Sequence, residues 1–366
     1  MTRHLLVTGG AGFIGSNFAR YWAAAHPGDR IIVLDALTYA GNRANLAGLA
    51  DERVRFVRGD IGDRALVGDL FERENIDTVV NFAAESHVDR SIDDPTVFVR
   101  TNVLGTQVLL EAARVSWRTT SHQMRRFHHV STDEVFGSLA PDEAPFAETR
   151  PYAPNSPYAA SKAAADHLVR AYGVTYGLPI TISNCSNNYG PFQFPEKLIP
   201  LCLVNLLDGK RLPLYGDGQH VRDWLHVHDH CRAIESILLR APTGTTWNVG
   251  GRAEEQNLRL VERLCDVVAE AFVADPALVA RFPDCPAARG MPCREQIEFV
   301  RDRTGHDRRY AIDGTAIERE LGFRATIPLE RGLVTTVQWY LQHEPWWRSV
   351  KDGRYRRDPG ADASAG

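Results

Sequence analysis

A tyrosine and a lysine stand four positions apart in the stretch Tyr158-Ala-Ala-Ser-Lys162. On a helix these positions share one face, so the phenol and the ammonium group can converge on one point. A free phenol has a pKa of about 10 and is a poor base at neutral pH, but a neighbouring cation stabilises the phenolate. The pair therefore predicts a proton-transfer site, although an exposed Tyr and Lys on a helix would show the same spacing.

Two adjacent acidic residues, Asp133 and Glu134, follow Thr132 and the apolar stretch Phe127–Ser131, which predicts a strand. In open α/β sheets ligands bind beyond the carboxyl ends of the strands, so we expect this pair at a binding crevice rather than in a solvated loop. Neighbouring carboxyl groups can divide the roles of acid and base when their surroundings separate their pKa values. The pair is thus a second candidate for catalysis.

A glycine-rich turn, Gly9-Gly10-Ala11-Gly12-Phe13-Ile14-Gly15, lies between a predicted strand and a predicted helix. Such a turn lets the backbone approach a pyrophosphate and directs a helix N-terminus at its charge. Asp35 ends the next strand, where a carboxylate accepts hydrogen bonds from ribose hydroxyls and would repel a 2′-phosphate. Asp60 and Ile61, after a third strand, are placed to meet the adenine edge. These features predict bound NAD rather than NADP.

The elements that must position these residues alternate short apolar strands with helices, the pattern of a doubly wound parallel sheet. We predict an α/β fold with a Rossmann-like NAD domain over residues 1–183 and a smaller, mixed α/β sugar-nucleotide domain over 184–350. Later segments are expected to pack back on the first domain, and residues 351–366 to form a disordered tail. The predicted strands are His4–Val7, Ile31–Leu34, Val54–Arg58, Thr78–Asn81 and Phe127–Ser131, and the predicted helices are Ala11–Ala25, Asp63–Glu74, Pro95–Ser116 and Ser156–Tyr176.

The composition excludes several classes of protein. With 366 residues, of which 44% are hydrophobic, the chain can bury a sizeable core. Its net charge of -4 gives no reason to expect binding to nucleic acid or to a membrane surface. No apolar run is long enough to span a bilayer, and Met1–Thr8 lacks the pattern of a secretory signal. We therefore expect a cytoplasmic protein whose partners are small molecules.

Cysteines and histidines give weaker signals. The six cysteines are scattered, as in a reducing compartment, and Cys285 and Cys293 are the one close pair. We expect this pair to be two free thiols in a surface loop, with a disulfide or a metal clip as the alternative. Three alternating histidines have too few carboxylates or thiols among them for a metal site, and we expect no metal. They are His226, His228 and His230.

The motifs together resemble the extended short-chain dehydrogenase/reductase family and, within it, the dTDP-glucose 4,6-dehydratases. The resemblance extends to about residue 345, with differences in the loops His122–Arg126 and Pro276–Glu295. It rests on GGAGFIG at Gly9–Gly15, AAESHVDRS at Ala83–Ser91, STDEV at Ser131–Val135, YAASK at Tyr158–Lys162, NCSNNYGP at Asn184–Pro191, PEKLIP at Pro195–Pro200, RDW at Arg222–Trp224 and GHDRRY at Gly305–Tyr310.

The resemblance implies a set of roles. Asp133 would be the acid and Glu134 the base of a dehydration, while Thr132 and Tyr158 would hydrogen-bond the C4 oxygen of the sugar. Asn187 and Arg222 would contact the diphosphate, and Tyr215 would lie near the nucleotide base. The residues implied at the cofactor are Gly9, Gly12, Phe13, Ile14, Gly15, Asp35, Asp60, Ile61, Ala83, Tyr158 and Lys162. Those implied at the substrate are Glu85, Ser86, His87, Asn187, Lys197, Leu198, Tyr215, Arg222, Asn257, Arg303 and His306.

The activity implied is the NAD-dependent conversion of dTDP-glucose into its 4-keto-6-deoxy product, by oxidation at C4, loss of water across C5 and C6, and return of hydride to C6. A homodimer through Pro95–Ser116 and Ser156–Tyr176 is also implied. A dehydratase acting on a UDP- or GDP-hexose is the nearest alternative. A UDP-hexose 4-epimerase would not need Asp133 and Glu134, and a non-catalytic NAD-binding protein would not need Tyr158 and Lys162.

Overall fold

Seven parallel strands form the central sheet of the computed structural model, which describes residues 2–49, 52–118 and 125–356. The strand order is β10-β6-β5-β4-β1-β2-β3. Its strands are β1 (His4–Thr8), β2 (Arg30–Asp35), β3 (Val54–Arg58), β4 (Thr78–Asn81), β5 (Arg126–Thr132), β6 (Ile180–Cys185) and β10 (Thr245–Val249). Their side chains are mostly buried because helices cover both faces of a doubly wound sheet.

Two small sheets stand beside the large one, in the orders β11-β9-β7 and β12-β8. Their strands are β7 (Asn187–Tyr189), β8 (Leu212–Tyr215), β9 (Val221–His226), β11 (Glu254–Gln256) and β12 (Ile297–Val300). The predicted α/β class and all five predicted strands are confirmed, with boundaries within a residue or two of those expected.

Helices connect the strands. They are α1 (Phe13–Ala25), α2 (Arg64–Glu74), α3 (Val88–Asp93), α4 (Pro95–Phe98), α5 (Thr106–Trp117), α6 (Pro157–Tyr176), α7 (Leu198–Leu207), α8 (Val227–Arg240), α9 (Asn257–Ala274), α10 (Ala277–Arg281), α11 (Thr315–Leu321), α12 (Leu329–Gln342) and α13 (Glu344–Lys351). The stretch predicted as one helix over Pro95–Ser116 contains a π-helical segment, Val99–Gly105, between α4 and α5. In this segment Asn102 bonds both backbone groups of Glu85 and the hydroxyl of Ser161, so it ties a cavity loop to α6.

The two halves of the chain share the central sheet. The boundary predicted at residue 184 falls inside β6, and β10 from the second half pairs with β6 along its whole length. The C-terminal segment also returns to the first half: Trp346 donates to Asn45 Oδ1 at 2.8 Å, and Tyr355 donates to the carbonyl of Tyr39. Residues 352–356 of the segment expected to be disordered are therefore placed, whereas 357–366 and most of the loop 122–126 lie outside the described residues.

The Cys285–Cys293 stretch differs from the expectation of a surface loop. Both thiols are buried in the core formed by α7, α9 and α12, because two short 3₁₀ turns fold the stretch against α9. Both remain free thiols, as do the other four cysteines. In the described part of the chain, no helix has the length and apolar character needed to cross a membrane.

Candidate active site

The predicted catalytic and cofactor residues converge on one cavity. It has a volume of about 370 Å³ and opens at the carboxyl ends of the central strands. All eleven residues expected at the cofactor line it, together with Thr132, Asp133 and Glu134. This agrees with the rule that ligands of doubly wound sheets bind at this edge, where loops from several strands meet.

The glycine-rich turn at one end of the cavity leaves space for a pyrophosphate. Gly9 has φ +65°, and a Cβ there would lie 2.7 Å from the backbone nitrogen of Ala83. A Cβ on Gly15 would lie 2.4 Å from the carbonyl oxygen of Gly9. Only glycine therefore permits this tight turn, which brings the N-terminus of α1 to the cavity wall.

Asp35 terminates β2 at the adenosine end of the cavity. Its two carboxylate oxygens accept backbone hydrogen bonds from Ala11 at 2.9 Å and from Leu37 at 2.8 Å, which hold the side chain in place. Each oxygen retains a further lone pair for a ribose hydroxyl. Together with the glycine cradle, this carboxylate makes the residues present a good fit for NAD, which supplies a reversible hydride acceptor when bound.

The carboxylate of Asp35 should make the protein select NAD over NADP. We expect the purified protein to bind NAD at least about tenfold more tightly than NADP, because a 2′-phosphate would approach a fixed negative charge. Asp35→Ser should narrow this ratio, whereas Asp60→Ser, which removes an exposed carboxylate from the same cavity, should leave it nearly unchanged. Calorimetric titration of both nucleotides measures the ratio, and equal binding by the unaltered protein would exclude this role of Asp35.

The Thr132–Asp133–Glu134 triplet leaves β5 and enters a 3₁₀ turn, Asp133–Phe136. The Thr132 hydroxyl caps this turn by accepting from the backbone of Glu134 at 3.3 Å. Asp133 is buried, and its Oδ2 has no hydrogen-bond partner in the described part of the chain. An unpaired buried carboxyl oxygen beside a cavity is suited to donate or accept a proton at a bound ligand.

The two carboxyl groups of the triplet differ in their surroundings. Burial raises the pKa of Asp133 well above its usual value, and the carboxylates of Glu134 and Asp223 raise it further. Burial also raises the pKa of Glu134, but the nearby cations of Lys197 and Arg222 oppose that rise. Asp133 is consequently the weaker acid of the two groups, and Glu134 the one that ionises more readily, which is the division expected of an acid and a base.

Tyr158 lies in the first turn of α6 with its ring nearly covered. The expected stabilisation of the phenolate involves the positive nicotinamide ring as well as Lys162 and stays a prediction, while the surrounding protein acts in the opposite direction. Burial raises the pKa of Tyr158 well above 10 and Glu134 raises it further, while a hydrogen bond with Thr132 opposes them. The physical reason is that the phenol faces two carboxyl groups in a cavity shielded from water.

Lys162, one turn further along α6, is 4% exposed. Its ammonium group donates to the carbonyl of Val130 at 2.8 Å and lies 3.3 Å from Nε2 of His129. Burial lowers the pKa of Lys162, and the carboxylate of Asp166 opposes that change. Lys162 therefore lines the cavity, while its ammonium group contacts buried residues of β5 behind the cavity wall.

Five of the residues expected at the substrate line the cavity, and they are Glu85, Ser86, Asn187, Lys197 and Leu198. Lys197 spans two of the loops, because its ammonium group donates to the carbonyl of Ser86 at 3.0 Å. Among the described residues, Oδ1 of Asn187 and Oε2 of Glu85 are buried without a hydrogen-bond partner, although Oε2 lies 3.8 Å from the guanidinium of Arg90. These unsatisfied polar atoms mark the wall that a polar ligand would contact.

The other six residues form a neighbouring group outside the cavity lining, and they are His87, Tyr215, Arg222, Asn257, Arg303 and His306. Arg303 forms an ion pair with Asp89, and its guanidinium lies over the ring of Tyr215. Arg222 donates to the carbonyl of Asp307 at 2.8 Å and lies over the ring of Tyr310. The charges of Arg222 and Arg303 both act on Glu134, which connects this group to the catalytic carboxylates.

One group in the described part of the chain has the composition of a metal site: His220, Asp302 and His306. The two imidazole rings stack at 3.8 Å, and His306 Nδ1 lies 2.7 Å from Asp302. Burial lowers the pKa values of both histidines and nearby arginines lower them further, while Asp302 opposes the change.

Some residues around the cavity were not predicted. Asn102 positions the Glu85 loop, and Asp223 lies close enough to raise the pKa of Asp133. Trp224 and Glu196 line the cavity wall. The motifs around Trp224 and Glu196 were recognised, but position within a motif does not reveal which side chains face a ligand.

The fold and the cavity define the chain as a nucleotide-sugar enzyme of the short-chain dehydrogenase/reductase type. The chain belongs to the family described as GDP-mannose 4,6 dehydratase, which matches residues 6–336.

Individual relatives identify the activity more narrowly than the family description does. The chain is 52% identical over 355 residues to a dTDP-glucose 4,6-dehydratase of Xanthomonas campestris pv. campestris (strain B100), covering 96% of this chain and 97% of the relative. The crystal structure of a dTDP-glucose 4,6-dehydratase from Streptomyces venezuelae with NAD and TYD bound is 48% identical, with a TM-score of 0.84 over 95% of this chain and 99% of that one. That of Bacillus anthracis str. Ames, in complex with NAD, is 42% identical, with a TM-score of 0.82 over 95% and 99%.

Proposed function

We propose that the protein dehydrates dTDP-glucose to dTDP-4-keto-6-deoxyglucose with NAD as its cofactor. The observation that carries the proposal is the unequal perturbation of two adjacent carboxyl groups, those of the buried Asp133 and the partly buried Glu134, in the same cavity as Tyr158 and the glycine cradle. An epimerase at C4 needs the tyrosine but has no use for an acid and a base at C5 and C6.

NAD would lie along the glycine-rich turn, with its adenosine ribose at Asp35 and its nicotinamide near Tyr158 and Lys162. It supplies an acceptor for the hydride of C4 and later a donor to C6. Tyr158 takes the proton of the C4 hydroxyl, and Thr132 holds the oxygen in line. The phenol must become phenolate for this step, so the cationic charge of Lys162 and of the oxidised nicotinamide has to offset the rise in its pKa caused by burial.

Elimination then falls to the two carboxyl groups. The C4 ketone acidifies the proton at C5, and Glu134, stabilised as a carboxylate by Lys197 and Arg222, removes it. Asp133, kept protonated by burial and by its acidic neighbours, protonates the C6 hydroxyl so that water can leave. The two adjacent groups can act as acid and base because their surroundings shift their pKa values to different extents before the substrate binds.

The nucleotide half of the substrate would extend from Asn187 and Lys197 towards Arg222, Arg303 and His306. Guanidinium groups suit a diphosphate because each can bind two oxygens. The choice of thymidine rests on the dTDP-glucose relatives, and a UDP- or GDP-linked hexose remains the alternative substrate.

Reaction in deuterated water distinguishes these possibilities. With dTDP-glucose we expect a 4-keto-6-deoxy product that carries solvent deuterium at C5, detected by mass spectrometry and NMR. Formation of dTDP-galactose would replace the proposal with an epimerase. Turnover of UDP- or GDP-glucose but not of dTDP-glucose would retain the mechanism and change the nucleotide.

We also propose that two copies of the chain associate in the cytoplasm through α5 and α6, which pack side by side. Large apolar side chains remain exposed along α4 to α6, and they include Val97, Val99, Leu104, Val115 and Val174. Such a patch is unusual on a monomer. The six free thiols suit a reducing compartment.

A further inference from the structure

A buried polar network stands behind Lys162, on the side away from the cavity. Nε2 of His129 lies 3.3 Å from Nζ of Lys162 and 3.4 Å from Oδ1 of Asp166. Lys162 and Asp166 are one turn apart on α6, and His129 reaches them from β5. All three side chains are at most 4% exposed, so water does not screen their charges.

The hydrogen bonds around His129 determine which of its nitrogens carries the proton. The hydroxyl of Thr8 accepts from the backbone of Ala83 at 3.3 Å and donates to Oδ1 of Asn81 at 2.6 Å. The amide nitrogen of Asn81 therefore faces Nδ1 of His129, at 3.1 Å, and donates to it. Since Nδ1 accepts, the proton of the neutral imidazole is on Nε2, which lies between Asp166 Oδ1 at 3.4 Å and Lys162 Nζ at 3.3 Å.

Asp166 accepts hydrogen bonds from two further side chains. Its Oδ2 accepts from the hydroxyl of Ser131 at 2.7 Å and from Asn184 at 3.4 Å. Its Oδ1 lies 3.4 Å from Nε2 of His129 and has no hydrogen-bond partner among the residues that the structure describes. A buried ammonium group such as that of Lys162 loses its proton readily unless an opposite charge compensates it.

We propose that Asp166 is a positioning residue whose buried carboxylate, held by Ser131 and faced by His129, supplies the counter-charge that keeps Lys162 protonated. The inference rests on the proposed function, in which a charged Lys162 assists Tyr158. It adds a residue outside the cavity that sets the charge state of a residue inside it.

The other ionisable groups facing the network do not supply this charge. Burial raises the pKa of Cys185 to about 12, so its thiol is neutral. Asp133 is kept protonated, and Glu134 is compensated by Lys197 and Arg222. The phenols of Tyr158 and Tyr152 are neutral because burial raises the pKa of each. The remaining neighbour, His128, is neutral because burial lowers its pKa.

The small number of lysines makes a direct test possible. The chain contains four, Lys162, Lys197, Lys210 and Lys351, so NMR titration of isotopically labelled lysine in the NAD-bound protein should resolve each one. The Lys162→Arg variant assigns the signal by its loss. We expect Asp166→Asn to lower the pKa of Lys162 by about one to three units. As the pH is raised, the rate of reduced-nicotinamide formation should begin to decline at a lower pH in Asp166→Asn than in the unaltered protein. The reason is that Lys162 loses its ammonium proton at a lower pH in the variant.

Two variants separate loss of charge from damage to packing. Asp166→Glu retains the charge and should return the pKa of Lys162 towards that of the unaltered protein. His128→Gln alters an equally buried side chain on β5 that bonds Thr181 and Ser183 instead, and it should leave Lys162 unchanged. An unchanged pKa of Lys162 in Asp166→Asn would overturn the inference. If that variant does not fold, a Lys162 that is already neutral at neutral pH in the unaltered protein would overturn it equally.

Failure of this inference can be distinguished from failure of the proposed function. Full activity of Lys162→Met would remove the assumed role of the lysine and, with it, the basis of the inference. An inactive Lys162→Met combined with an unaffected Asp166→Asn would reject only the role of Asp166.

Discussion

Glu134→Gln is expected to accumulate reduced nicotinamide on addition of dTDP-glucose while releasing 4-keto-6-deoxy product about 10² to 10⁴ times more slowly than the unaltered protein. Oxidation at C4 depends on Tyr158 and should persist. The following step requires a carboxylate at C5, and glutamine cannot accept a proton there. Nicotinamide absorbance and product NMR measure the two steps separately. In deuterated water, the variant should also incorporate deuterium at C5 much more slowly.

Glu148→Gln is the matched control for this variant. Glu148 is also a shielded glutamate whose pKa is raised by burial, but its oxygen accepts from the backbone of Asn248 and it does not line the cavity. The Glu148→Gln variant should dehydrate dTDP-glucose at nearly the rate of the unaltered protein. Normal dehydration by Glu134→Gln would remove Glu134 from the role of base and would leave Asp133 as the carboxyl group to examine.

Tyr158→Phe is expected to block the reaction one step earlier. The variant loses the phenol that takes the C4 proton, so reduced nicotinamide should form about 10² to 10⁴ times more slowly and should not accumulate. The nucleotide content of the purified protein should be nearly unchanged, because Asp35 and the glycine cradle hold the other end of NAD. Rapid mixing with dTDP-glucose and measurement of nicotinamide absorbance test this expectation.

Tyr189→Phe serves as the control for loss of a tyrosine hydroxyl. Tyr189 is fully buried and its hydroxyl has no hydrogen-bond partner, so removal of the oxygen should change stability and activity little. Fast formation of reduced nicotinamide by Tyr158→Phe would show that another group takes the C4 proton. Accumulation of reduced nicotinamide in both Tyr158→Phe and Glu134→Gln would contradict the proposed order of the two steps.

The parts of the fold that follow from local pattern were predictable. The strands Val54–Arg58 and Thr78–Asn81 have the predicted bounds, because short segments rich in β-branched and aromatic residues between helical stretches have few alternatives. The π-helical segment Val99–Gly105 was not predictable, since its sequence continues the helical pattern on either side. What distinguishes it is the contact of Asn102 with Glu85 and Ser161, and those partners are distant in sequence.

The candidate site also has features that could be predicted from the sequence and features that could not. Which residues line the cavity around the glycine-rich turn could be inferred, because each lies at the end of a predicted strand or on a recognised motif. The electrostatics could not be inferred. Burial and Glu134 raise the pKa of the Tyr158 phenol, and neither effect is visible from the spacing of Tyr158 and Lys162.

By itself, the sequence determined the α/β class, the dinucleotide turn, the helical pairing of Tyr158 with Lys162 and the presence of an acid–base pair after β5. These depend on residue type and short spacing, which local geometry converts directly into structure. Only the tertiary structure decided that Cys285 and Cys293 are buried, that Asp133 and Glu134 have differently perturbed pKa values, and that Asp166 stands behind Lys162. These depend on desolvation and on charges brought together from distant segments, and both exist only once the chain has folded.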